Sequence, residues 1–174
     1  SGGKAMGFAG NQNKLITAKK LEMAVKDSDS NIEKILDLGF VGEPISINSS
    51  FINDHIVKGI IPVIAPLGRD EKGNTYNINA DTAAGAIAGA LRASKLLLLT
   101  DIAGILDENK KLISSLSYEE AIKIISKNFI RGGMKPKITT CIKAMSQGVK
   151  QATILDGRIS HALILELFTE HGIG

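Results

Sequence analysis

Residues Tyr76–Leu106 read YNINADTAAGAIAGALRASKLLLLTDIAGIL: an extended polar segment, a helix of small residues, an apolar strand and the loop leaving it. Asn77, Asn79 and Asp81 are spaced by two, so an extended backbone sets their side chains on one face. Asp81 also suits the N-cap of a helix beginning at Thr82. That helix presents Ala83, Ala84, Gly85, Ala86, Ala88, Gly89 and Ala90, thin enough to lie close against a sheet. Lys95–Thr100 shows no polar alternation through its leucines, which predicts a strand covered on both faces. Ligands of open α/β sheets sit beyond the carboxyl ends of such strands, where Asp101-Ile102-Ala103-Gly104 follows.

Toward the N-terminus, Ser49–Lys58 predicts a helix capped by Ser49 or Ser50, with Ile52, Ile56 and Val57 on one face and Gly59 at its end. Ile60–Ala65 predicts a buried strand in which Pro62 marks a bulge or an edge, and Pro66–Asn74 a charged turn. Lys14–Lys20 and Leu38–Glu43 predict short strands flanking a polar turn at Asp27–Asn31, as antiparallel trimming of a sheet edge. Ser1–Gly10 is Gly-rich and reads as a mobile connector or hairpin tip, with neither a Walker pattern nor GxGxxG. Toward the C-terminus, Asp107–Lys111 is a turn, and Ser117 with Glu120 forms a capping box for a helix with Ile122, Ile124 and Ile125 inward. Pro136 suits the first turn of a helix reaching Gln147 and closed by Gly148. Ala152–Leu155 predicts a buried strand, and a last helix starts at Ser160 or His161 and ends at Gly172. This order predicts an α/β fold: a mostly parallel open sheet with helices on both faces and short antiparallel edge strands.

A chain of 174 residues suits one domain. Aromatics make up only 4% and Trp is missing, so Leu, Ile, Val and Ala must build the core. The net charge is +3, and the lysines are dispersed without interleaved aromatics, which disfavours nucleic acid as a partner. No apolar run of about 18 residues exists, so no membrane span is expected. Cys141 is the single cysteine, which excludes an internal disulfide, fits a reducing cytoplasm and reads as a buried structural thiol. The chain opens in a Gly-rich loop, which raises the expectation of a preceding segment.

Lys137 is the leading candidate for chemistry. A cation in a first helical turn opposes the macrodipole by about 0.3–1 kcal/mol, whereas a helix N-terminus behind Gly132 and Gly133 is a natural anion site. A phosphate between them reconciles the two. Singly, Lys137 reads as a solvated lysine, Asn77 and Asn79 as turn residues and Asp81 as a cap. Together they suit a phosphate or carboxylate ligand. His55, His161 and His171 are scattered without ligand spacing, so zinc is not expected. No GxSxG supports a hydrolase.

The segments DLGFVGEP (Asp37–Pro44), IPVIAPLG (Ile61–Gly68), YNINADTAAGAIAGAL (Tyr76–Leu91), LLLLTDIAGILD (Leu96–Asp107), GGMKPK (Gly132–Lys137) and DGR with HALILELFTEHGIG (Asp156–Gly174) follow one another as in the amino acid kinase family. The sequence resembles the C-terminal, nucleotide-binding half of the N-acetyl-L-glutamate kinases of that family. The resemblance implies phosphoryl transfer from ATP to the side-chain carboxylate of N-acetyl-L-glutamate in arginine biosynthesis, with magnesium (Mg2+) on the phosphates, although the sequence shows no obvious complete cage for the metal. On the family pattern, Asn77 would bind acetylglutamate and Asn79 the transferring phosphate, while Asp81 would hold the catalytic lysines and Lys137 would stabilise the transition state. Asp101, Ile102, Ala103, Gly104, Ile105 and Leu106, with Phe129, Ile130, Arg131, Gly133 and Met134, would line the nucleotide. Glu166 and Gly172 match contacts to an arginine feedback inhibitor, although Thr153 stands where such members often carry a histidine.

The family's N-terminal substrate domain, with its HGGG loop, further lysine and substrate-binding arginine, has no counterpart here. Residues 1–174 are therefore expected to be the C-terminal ATP-binding domain of a cytoplasmic, homo-oligomeric enzyme, inactive alone. Aspartate, glutamate 5-, carbamate and uridylate kinases share the fold and remain alternatives. A non-catalytic nucleotide- or arginine-sensing module is another, against which Asn79, Asp81 and Lys137 speak.

Overall fold

The structure is a computed structural model and describes residues 2–26, 33–127, 129–130, 132–169 and 172. Its elements are β1 (Lys4–Ala9), β2 (Ile16–Lys26), β3 (Glu33–Ile47), α1 (Ser49–Ile56), β4 (Ile60–Ala65), β5 (Leu67–Arg69), β6 (Thr75–Ile78), α2 (Ala80–Leu91), β7 (Lys95–Thr100), α3 (Tyr118–Ile124), α4 (Met134–Ser146), β8 (Gln151–Asp156) and α5 (Ala162–Phe168). The expected α/β class holds, and the chain divides into two compact units, Ser1–Leu91 and Arg92–Gly174.

In the first unit β1 and β4 pair in parallel, from Lys4 opposite Ile60 to Ala9 opposite Ala65. The Gly-rich opening is thus a strand and not a connector. A tertiary partner overrides the weak strand propensity of its glycines, and Phe8 anchors it against Phe51 and His55, with ring centroids 5.2 and 4.7 Å away. β4 alternates half-buried with exposed residues, so it is covered on one face only. Pro62 opposes Met6 with no break in register, an edge position and not a bulge.

β2, β3, β6 and β5 close into a four-stranded barrel. The hairpin partners β2 and β3 run 11 and 15 residues, so they are not short edge strands. Gly39, Gly42 and Pro44 break the apolar pattern that would reveal β3. In the folded chain they allow it to curve: Gly39 has φ +72°, and a Cβ on Gly42 would lie 2.7 Å from Tyr76 Cβ. The turn expected at Asp27–Asn31 lies outside the described residues. β6 runs parallel to β3 and antiparallel to β5, and the pair Thr17–Arg69 joins β5 to β2. Leu15, Ile16, Ala18, Tyr76 and Ile78 form the core with Ile52 of α1 and Ala83 of α2. Asn48, and neither Ser49 nor Ser50, caps α1: its Oδ1 accepts from Phe51 N at 3.2 Å and from Ser50 Oγ at 2.7 Å. Of the apolar face expected on α1, Ile52 alone is buried, while Ile56 and Val57 are exposed.

In the second unit β7 and β8 pair in parallel, Lys95 opposite Gln151 through Thr100 opposite Asp156. Leu96 and Leu98 are buried but Leu99 is 46% exposed, so the leucine run is fully covered on one face and not on both. The capping box of Ser117 and Glu120 starts α3 as expected, with Ile124 buried and Ile122 turned outward. α4 ends at the C-cap Gln147, followed by Gly148 at φ +104°. α5 follows His161 and stops at Phe168, short of Gly172, because Thr169 is extended. Among the described residues no helix is long and apolar enough to cross a membrane.

Gly68 of β5 measures how tightly the barrel closes, because a Cβ there would lie 2.5 Å from Ala18 Cβ and 2.7 Å from Ile78 Cδ1. Gly68→Ala is expected to destabilise by about 1–3 kcal/mol, read as a lowered urea midpoint. An unchanged midpoint would mean that the barrel has slack.

Candidate active site

In the first unit β6 feeds α2 directly. Alternation buries Tyr76 and Ile78 and exposes Asn77 and Asn79, so the two asparagines share a face as their spacing predicts. For Asp81 the premise of that spacing fails. The extended backbone ends before α2, and Asp81 lies in the helix's first turn. The capping role expected of Asp81 falls to Asn79, whose Oδ1 accepts from Thr82 N at 3.1 Å and Thr82 Oγ1 at 3.3 Å. A carboxylate in the first turn still faces the positive end of the helix dipole. Upstream, Asp70 ties the β5–β6 turn: its carboxylate accepts from Asn74 N at 2.8 Å, Asn74 Nδ2 at 2.9 Å and Tyr76 OH at 2.9 Å. These donors, Asn74 foremost, hold the Asp70 carboxyl below its usual range. His55 is a stacking residue, its ring 4.6 Å from that of Phe51.

In the second unit Asp101, Ile102 and Ala103 are exposed beyond the carboxyl end of β7. Gly104 is buried at φ +134°, where a Cβ would meet Leu112 Cδ1 at 2.8 Å. Ile105 O accepts from Ile113 N at 2.8 Å, and Leu106 bridges Leu112. Asp107 braces the following turn by accepting from Asn109 N and Lys111 N, each at 2.8 Å. Ahead of α4, Phe129 is half-buried, while Ile130 and Met134 are buried in the core and offer a ligand only their backbone. Arg131 lies outside the described residues. Gly132 (φ +58°) and Gly133 border open space. Gly133 is the N-cap of α4 and supplies no side-chain hydrogen bond, the first turn holds no acidic residue, and half-buried Lys137 follows.

A cavity of about 500 Å³ brings Gly104 and Ile105 together with Ile138 and Cys141 of α4 and with Lys95, Thr153, Glu166 and Gly172. Cys141 is half-buried in this wall, on the helix face it shares with Ile138, and is not a sequestered core thiol. Glu166 is 7% exposed, and its Oε1 accepts from Lys95 Nζ at 2.8 Å and Thr153 Oγ1 at 3.2 Å. A Cβ on Gly172 would lie 2.5 Å from Glu166 Oε2, so the two residues paired by the sequence reading do meet. Lys95 escaped that reading, although a charge opening an apolar strand was the available signal.

Asp156 and Arg158 also escaped it, despite standing in the matched DGR segment. Asp156 is 8% exposed at the end of β8. Its Oδ1 accepts from Arg158 Nε at 2.9 Å and Arg158 N at 2.9 Å, and its Oδ2 from Arg158 Nη2 at 2.8 Å. Those bonds lower the Asp156 pKa to about 2. Among the described residues no group of three or more His, Cys, Asp or Glu could hold a metal ion.

A carboxyl depressed in the folded state stabilises the fold above its unfolded pKa of 3.8 and loses that contribution as pH falls toward about 2. Asp156→Asn is therefore expected to flatten stability against pH across that window, measured by chemical denaturation between pH 5 and pH 2 at fixed ionic strength. Slopes identical to wild type there would show that the pair does not couple to folding.

The amino acid kinase family matches residues 4–156. Acetylglutamate kinase of Rhodospirillum centenum is 54% identical over 174 residues, all of this chain and 57% of that protein, and the enzyme of that name from Rhodopseudomonas palustris is 52% identical over 58% of its length. The chain thus spans less than two thirds of the curated relatives it matches. Among solved structures, N-acetylglutamate synthase from Neisseria gonorrhoeae, complexed with coenzyme A and N-acetyl-glutamate, has a TM-score of 0.80 at 25% identity over 99% of this chain and 37% of that one. Its complex with coenzyme A and L-arginine gives 0.80 at 26% over the same shares. With the family match running through both units and identity above one half along the whole sequence, the chain belongs to the amino acid kinase family.

Proposed function

We propose that this chain is the C-terminal, nucleotide-binding half of an ATP-dependent N-acetyl-L-glutamate kinase of arginine biosynthesis, the substrate domain lying N-terminal to it. The observation that carries this reading is the start of α4. Side chains cap α1, α2 and α3; α4 and α5 have no side-chain cap, and α4 opens behind two glycines with a lysine following. That is an anion site, and a polyphosphate suits it. The 54% identity to an acetylglutamate kinase favours acetylglutamate over the acceptors of sister kinases.

In the reaction an acceptor carboxylate oxygen attacks the γ-phosphorus, the bond to the β-phosphate oxygen breaks, and ADP leaves an acyl phosphate behind. Positioning and charge stabilisation are what the protein supplies. Asn77 holds the acetylglutamate. Asn79 has its Oδ1 engaged at the cap, which leaves Nδ2 to donate to the transferring phosphoryl group. Asp81 orients the catalytic lysines, and Lys137 offsets the charge of the transition state. Asp101–Leu106 and the stretch from Phe129 through Arg131 to Gly133 and Met134 line the nucleotide. No group of three or more His, Cys, Asp or Glu among the described residues could hold a metal, and a magnesium ion would be carried on the phosphates.

The Lys95–Thr153–Glu166 cluster supports an arginine effector site: a buried carboxylate at the wall of a cavity, with Gly172 beside it, suits a guanidinium or α-amino group. A homo-oligomeric, cytoplasmic enzyme completes the proposal.

Lys137→Ala in the complete enzyme is expected to lower kcat by about 10²–10³ with little change in ATP affinity; unchanged turnover would refute the role. Glu166→Gln is expected to raise the arginine concentration for half-inhibition at least roughly tenfold. A wild-type enzyme indifferent to arginine would remove the effector site.

A further inference from the structure

Asn77 stands on β6, a strand of only four residues. Among the described residues β6 pairs with β5 from Leu67–Asn77 to Arg69–Thr75, and with β3 at Val41–Asn77 and Gly42–Ile78. A slip of one residue would turn Asn77 into the barrel and Tyr76 and Ile78 out of it. Side-chain bonds on either side of β6 oppose that slip, and Asp70 makes both. At the β5–β6 turn Asp70 N donates to Asn74 O at 3.0 Å, and the Asp70 carboxylate accepts from Asn74 N and Asn74 Nδ2, which fixes the loop between the strands. The same carboxylate accepts from the hydroxyl of Tyr76, the residue before Asn77, at 2.9 Å. The root of the tyrosine is seated as well: a Cβ on Gly42 of β3 would lie 2.7 Å from Tyr76 Cβ and 3.1 Å from its Cγ. An ionised carboxylate only accepts hydrogen bonds, and each of these bonds brings it a donor. Beyond Asn77, Asn79 has its own anchor at Thr82.

We propose that Asp70 is a positioning residue for the acceptor: by joining the β5–β6 turn to the Tyr76 hydroxyl, it holds β6 in the register at which Asn77 meets N-acetyl-L-glutamate. This rests on the reading of Asn77 as the acceptor-binding residue. Because Asn79 is fixed separately at Thr82, the effect falls on acceptor binding and not on the transfer step. The nucleotide-lining segments belong to the other compact unit, so ATP binding does not depend on Asp70.

The test is a double-mutant cycle in the complete enzyme, with KM for N-acetyl-L-glutamate and for ATP, kcat and the urea midpoint measured for wild type, Asp70→Ala, Tyr76→Phe and the double variant. Asp70→Ala is expected to raise KM for acetylglutamate about tenfold and Tyr76→Phe about threefold, within the range of residues in direct contact. The double variant should be no worse than Asp70→Ala, with kcat and KM for ATP near wild type throughout. A merely structural role would lower the urea midpoint and the folded fraction, and so turnover, while leaving KM unmoved; that result overturns the proposal. Additive effects, or an equal rise in KM for ATP, overturn it too. If Asp70→Ala does not fold, Tyr76→Phe decides alone: a rise in KM for acetylglutamate supports the proposal and an unmoved KM overturns it. Wild type without acetylglutamate-dependent turnover, or Asn77→Ala with unmoved KM for acetylglutamate, overturns the underlying reading and this proposal with it. Active wild type, a weakened Asn77→Ala and an unmoved Asp70→Ala overturn this one alone.

Discussion

The parallel register of β7 and β8 is the constraint on which the second unit depends. Parallel strands begin at one end and finish at the other, so six paired residues at about 3.3 Å each set the polar termini roughly 17 Å apart. One end carries Lys95 and Gln151, and with them the buried Glu166. The other carries Thr100, Asp101 and Asp156. The leucines between separate two polar clusters with one apolar wall. A parallel pair also requires a crossover, and here α3 and α4 supply it. α4, which opens behind Gly132 and Gly133, lies in that crossover because the strands run the same way.

The first unit solves a different problem. Its barrel packs Tyr76 and Ile78 inward, which leaves the intervening polar side chains outward, and α2 starts where that alternation stops. Asn79 sits on the seam. Its side-chain oxygen starts the helix by accepting from Thr82 N and Thr82 Oγ1. The end of the strand and the start of the helix are therefore tied to a single side chain.

How much of this was legible depended on whether a signal was local. The α2 stretch, the Ser117 capping box and the end of α4 at Gly148 are short-range events, and the sequence displays them. β1 was hidden because its strand character comes from β4, some fifty residues away, and not from its glycines. β3 was found only in part, at Leu38–Glu43, because curvature requires residues that interrupt the pattern used to recognise a strand. Cap identity proved finer than spacing alone can resolve: Asn48 rather than the serines, Asn79 rather than Asp81. The same holds at the site. Glu166 and Gly172 were marked as a pair, yet the Lys95 ion pair that fixes the glutamate spans 71 positions of sequence and leaves no short-range trace.

The barrel's closure has one further consequence. Among the described residues, antiparallel ladders join β2 to β3 and β5 to β6, two parallel pairs join β3 to β6, and the circle is completed by the single pair Thr17–Arg69. A ring breathes where its stitching is thinnest. Opening there would turn a surface without edges into one with two unpaired strands, the form in which sheets recruit other chains.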